Sequence, residues 1–120
     1  MIDLAICFLT IAGVAIATNT AQVTVVNDRT KYNGDIWNTR VDVPIPGKSA
    51  ELSLPNAVLL DLTGAKGVDA NGITCTPTWL TSAGEVAGNS FGVSKLSRVV
   101  KGSIGLHLVE CVATRSLQEP

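Results

Sequence analysis

The chain is poor in the residues from which most active sites are assembled. It carries a single histidine, His107, set between Leu106 and Leu108 in a strongly apolar stretch, where a satisfied structural imidazole is the expected role. There is no Gly-x-Ser-x-Gly elbow, and a lone histidine inside a strand makes a poor triad base, so serine-hydrolase chemistry is not expected. Charge of one sign is never concentrated. The formal net charge is -1, no run of like charges exists, and neither nucleic acid nor an anionic membrane surface is an expected partner. Aromatics make up only 4% of residues, and no Asn-x-Ser/Thr sequon marks a glycan. No repeat or low-complexity segment is visible. No stretch holds a helical period beyond two turns; Pro55 to Leu62 and Ser94 to Val100 are the only candidates.

What is present begins with an apolar leader. Leu4 to Ala17 is a run of fourteen apolar and small residues interrupted only by Thr10 and Gly13. As a helix it would rise about 21 Å, short of the roughly 30 Å hydrocarbon core, so a stable membrane span is not expected. The run ends in Ala15-Ile16-Ala17 and then turns polar, which is the pattern of a signal peptide cut after Ala17. Met1-Ile2-Asp3 departs from that pattern in lacking Lys and Arg. The alternatives are a buried first strand or helix, and an uncleaved anchor. The expected organisation is a leader over 1–17 and one β-rich domain over 18–120, with 114–120 a frayed tail.

Removing the leader simplifies the chemistry of what remains. All nine Lys and Arg lie beyond Ala17, while Asp3 lies before it, so nine acids face nine bases. Cys7 leaves with the leader. Cys75 and Cys111 remain as an even pair on an oxidising route, and a Cys75–Cys111 disulfide is the expected outcome. Two unpaired buried thiols are the alternative. A metal site is not expected, since two sulfurs without nearby partners do not complete a ligand set.

The remainder reads as strands of eight to twelve residues' spacing, with Gly, Pro and Asn between them. Ala21 to Asn27, Trp37 to Val43, Ala50 to Leu54, Val58 to Leu62, Ile73 to Leu80, Leu96 to Val100 and Ile104 to Ala113 are the expected strands. Asn33-Gly34, Pro46-Gly47-Lys48 and Asn71-Gly72 are turn signals, as are Gly64 and Gly67. Pro44 and Pro46 are expected to end the second ladder. Pro77 implies an edge strand or a bulge. Gly84 to Gly92 reads as a loop whose Phe91 plugs the core. In the last strand Leu106 and Val109 have opposite parity, so either both faces are covered or a bulge shifts the register. The expected fold is all-β, a small antiparallel sandwich or barrel with one disulfide.

The search for a site gives little. Paired carboxylates can hydrolyse glycosides without histidine, but nothing in the sequence brings two acids to the required separation. Asp69-Ala70-Asn71-Gly72 begins like a calcium loop, yet Leu80 stands where the bidentate Glu belongs, so a turn is the better reading. No catalytic residue, metal ligand or cofactor is assigned. Tyr32, Asn33 and Trp37 remain as a possible interaction surface, because aromatics beside a turn can stack on a sugar or anchor in a partner's pocket. The competing expectation is that Trp37 fills the core and Tyr32 lies on the surface.

Several features together resemble a known set of proteins. A short leader precedes Val23-Thr24-Val25-Val26-Asn27-Asp28, followed by a Val-x-Val-Pro stretch closed by a Pro-Gly turn. Ile73-Thr74-Cys75 precedes a Gly-rich loop holding Phe91, and the last apolar strand ends at Val109-Glu110-Cys111. The pattern resembles the small secreted cysteine-poor proteins of filamentous ascomycete fungi, many of them effector candidates. That resemblance implies a secreted, extracellular, non-catalytic β-rich protein whose partner is a host or cell-wall protein. Binding of cell-wall polysaccharide is the alternative, and a small hydrolase or hydrolase inhibitor comes third.

Overall fold

The structure, a computed structural model, describes residues 19–30, 34 and 36–113. The expected leader, Tyr32, Asn33 and the tail 114–120 lie outside the described residues. The described residues form eight strands in two antiparallel sheets. They are β1 (Asn19–Asp28), β2 (Ile36–Ile45), β3 (Gly47–Lys48), β4 (Ala57–Lys66), β5 (Ile73–Thr81), β6 (Gly84–Ala87), β7 (Ser97–Arg98) and β8 (Ser103–Ala113). One sheet has the order β2-β1-β4-β7 and the other β3-β8-β5-β6. Among the described residues no helix is long and apolar enough to cross a membrane.

One core lies between the sheets. Ala21, Val23 and Val25 of β1, Val41, Val43 and Ile45 of β2, and Leu60 and Leu62 of β4 face Cys75 and Trp79 of β5 and Leu106, Val109 and Cys111 of β8. The alternation of β1, β2 and β5 is the period-two signal expected of strands with one buried face. The arrangement is therefore a sandwich, and the expected disulfide is formed. Cys75 and Cys111 are direct cross-strand partners in one sheet, with Cα atoms 4.0 Å apart. Cys75 gives both its backbone groups to Phe91, at 2.9 and 2.8 Å. Opposite Cys111 it therefore occupies a non-hydrogen-bonded position, where cross-strand residues approach closest.

Bulges explain the strands that do not alternate. On β8 the register steps from Leu108 opposite Thr78 to Leu106 opposite Trp79, leaving His107 as the extra residue. That step turns Leu106 inward although Val109 and Cys111 have the opposite parity. A second step leaves Ile104 unpaired and exposed. Thr63 and Val58 are the extra residues of β4, so Ala57, Leu60 and Leu62 all reach the core.

Several boundaries differ from expectation. β2 runs through Pro44 to Ile45, because β2 is an edge strand and a missing N–H is tolerated there. β4 continues through Gly64 to Lys66, paired with β1. Gly84 to Ala87 is a strand, not a loop, formed by a hairpin on β5. Pro77 lies in an inner strand, but β6 stops at Ala87 and Phe91 resumes pairing only at Cys75, so the interruption falls where Pro77 would have donated.

Ala50 to Leu54 runs beside β8 without forming a regular ladder. The Ser49 hydroxyl accepts the Val109 N–H at 3.0 Å, the Leu52 N–H donates to His107 O at 2.6 Å, and Leu54 forms an isolated bridge with Leu106. The strand expected over Leu96 to Val100 shrinks to β7, and Asp69 caps a 3-10 turn at Ala70–Gly72 by accepting the Asn71 N–H.

Candidate functional site

The end of the sandwich where β1 passes into β2 collects the features with binding potential. Asn27 is 1% exposed, and its side-chain amide donates to Val25 O, Trp37 O and Thr39 Oγ1. A buried amide so placed ties the last turn of β1 to β2 and sets where Trp37 stands. Replacing it with Ala deprives Thr39 Oγ1 of this donor and leaves the two carbonyls with their ladder partners alone. Asn27→Ala is therefore expected to cost about 1–3 kcal/mol in chemical denaturation, with the fold retained.

Trp37 pairs with Asn27 across the ladder, and Ile36 pairs with Asp28. Trp37 shares the face of Val41 and Val43 but is not part of the buried core, and it is 37% exposed. The expectation that it fills the core is corrected: the core thins towards this end, and only Val41, Val43 and Ile45 of β2 are buried. The Arg29 guanidinium stands over its ring, 5.0 Å from the centroid, as a cation–π contact. Ile36 beside it is 62% exposed.

Asp28, the ladder partner of Ile36, lines a concavity. Its N–H donates to Asn56 O at 2.9 Å, bringing β1 against the start of β4. A cavity of about 320 Å³ opens there, lined by Asp28, Pro55, Asn56, Val58, Val99 and Ser103. Its far wall is held by the Val99 N–H bond to Val58 O, 2.9 Å. The Asp28 carboxylate accepts from the Thr30 side chain and from the Thr30 backbone N–H, the latter 2.8 Å from Oδ1, and these bonds hold its pKa below the ordinary value. The rim of the cavity therefore carries a negative charge at Asp28.

His107 stands elsewhere. The β8 bulge puts it on the outer face of the sheet, with Nε2 3.3 Å from Glu85 Oε2 and 4.0 Å from Glu51 Oε2. These two carboxylates come from opposite margins of the sheet, β6 and the segment beside β8. The sequence contains no signal that would bring them to the imidazole, since the bulge depends on pairing between strands distant along the chain. Among the described residues no group of three His, Cys, Asp or Glu is arranged to hold a metal ion. A second cavity, of about 330 Å³, lies at the opposite end, with Ile73, Ser90, Phe91 and Lys95 in its lining.

Of the expected interaction residues, Trp37 stands at the first of these two ends, and Tyr32 and Asn33 lie outside the described residues. Arg29 was not singled out by the sequence, and Asn27 and Asp28 entered only as the end of the Val23 to Asp28 stretch. The single usable signal for them was their position next to the Asn33-Gly34 turn. Comparison with known protein families, with curated proteins and with solved structures returns no match.

Proposed function

We propose that this protein is exported and acts by binding a protein partner through the β1–β2 end of the sandwich. The observation that carries the reading is Trp37, an exposed indole held against Arg29. Trp and Arg are the residue types that most often dominate protein–protein binding energy, and an aromatic already held by a neighbour loses little freedom on docking. Export rests on the leader. The first strand starts at Asn19, so cleavage after Ala17 leaves every described strand intact.

A non-catalytic role rests on the absence from the sequence of any assembled nucleophile or acid–base motif. The choice of a host or cell-wall protein as partner rests on the resemblance to small secreted proteins of filamentous ascomycetes.

The test uses protein secreted from cells expressing the full chain. Intact mass reports cleavage after Ala17. The secreted protein is then used as bait against host extracellular proteins, beside Trp37→Ala. Capture of a partner, weakened at least tenfold by Trp37→Ala, is the expected result. Retention on chitin or glucan with no protein captured would replace this reading with polysaccharide binding. An intact mass that includes Met1 to Ala17 would remove the export step.

A further inference from the structure

The four sheet edges are not alike. β3 and β7 have two residues each and β6 has four, whereas β2 presents an edge ten residues long. Its pairing with β1 runs from Ile36 to Ile45 with no register shift, in contrast to the bulged β4 and β8. Short, bulged or covered edges are how sandwiches avoid sheet-to-sheet association, and among the described residues β2 is neither short nor bulged and has no strand paired on its outer side.

The direction of its outward groups follows from the ladder. The Asp28 N–H is bonded to Asn56 on the β4 side, so Asn27 turns its backbone groups to β2 and Trp37 receives them. Odd-numbered residues of β2 are thereby committed to β1, and Ile36, Asn38, Arg40, Asp42 and Pro44 turn theirs outward. Pro44 loses no ladder bond in the monomer, because the N–H it lacks would have pointed to solvent.

We propose that β2 is a self-association edge, on which a second copy of this chain pairs antiparallel about a two-fold axis through Val41. The charges select that axis. With Val41 opposite Val41 of the second copy, Arg40 meets Asp42 of the second copy, and Asp42 meets its Arg40. Both residues belong to the outward-bonding set, so each of these opposed pairs is also a hydrogen-bonded pair. Moving the axis by one residue either way sets Arg40 against Arg40 or Asp42 against Asp42. In the single chain the two side chains instead pair with one another, Arg40 Nε to Asp42 Oδ1 at 3.2 Å, with both more than half exposed. Pro44 then faces Asn38 of the second copy and removes one bond at each end, which confines the pairing to the centre of the strand. The two four-stranded sheets become one of eight strands. The interface is isologous, as a two-fold dimer requires.

Sedimentation of the protein expressed from the full chain tests this. The wild type is expected to show a monomer–dimer equilibrium that dilution shifts to monomer. Arg40→Asp and Asp42→Arg, each at an exposed position, are expected to be folded monomers by circular dichroism. Mixed together they are expected to dimerise, because each now offers the charges the other needs, and the double variant Arg40→Asp/Asp42→Arg is expected to dimerise alone. An ion pair within one chain cannot reproduce the mixing result. A wild type that stays monomeric at every concentration, a dimer unaffected by either single variant, or a mixture that does not associate would each overturn the proposal.

Discussion

Replacing both cysteines, Cys75→Ala/Cys111→Ala, is expected to preserve the sandwich and to lower its stability by about 4 kcal/mol. The bond closes a loop of sequence separation 36, and removing it frees that loop in the unfolded chain. The chain-entropy relation gives about 4 kcal/mol for a loop of this length. The native state, in contrast, needs the bond little, because Cys75 and Cys111 already face each other across a hydrogen-bonded ladder from Ile73 to Thr81. Alanine is preferred to serine because both positions are fully buried and a hydroxyl would lack a partner. At this chain length the loss corresponds to a fall in Tm on the order of 15–30 °C. Chemical denaturation with the fold followed by circular dichroism measures it. A loss under about 1 kcal/mol would show that the cross-link does not act by restricting the unfolded chain.

The second large effect is expected at Trp79. It is fully buried and is the largest side chain in the core, set on β5 between Pro77 and the β6 hairpin. Trp79→Ala removes most of the filling between the sheets at that level, and about 3–5 kcal/mol of destabilisation is expected. Among the described residues its indole Nε1 has no hydrogen-bond partner, and it lies beneath Gly88. A Cβ added at Gly88 would stand 2.6 Å from that nitrogen and 3.0 Å from Pro77 Cγ. Gly88→Ala is thus expected to cost about 1–3 kcal/mol by overpacking, an effect that should fall when Trp79 is first replaced by Leu. Thermal unfolding of the four proteins of that cycle measures the coupling. Additive costs would show that Gly88 is needed for something other than closeness to the indole.

The His107 cluster illustrates what pairing adds to composition. In the sequence His107 is one polar residue in a run of apolar ones, and a strand with both faces covered would bury it. The bulge instead makes it an extra residue in the β5–β8 ladder and places it beside Glu85. Trp37 shows the same dependence in the other direction. Its spacing with Val41 and Val43 is that of a core residue, yet it stands exposed at the start of β2.

Local chemistry determined the class of this protein. β-Branched residues alternating with polar ones, punctuated by Gly, Pro and Asn, specify strands with one buried face, and two cysteines beyond Ala17 leave one possible pairing. Alternation with period two is a property of neighbouring residues, so it is legible without knowing which strands meet. The bulges at Val58, Thr63, Ile104 and His107, the length of the free β2 edge, the exposure of Trp37 and the cavity beside Asp28 were decided only by the tertiary structure. Each of them depends on which strands become neighbours and where one ends before its partner, and contacts between residues far apart in the chain set both.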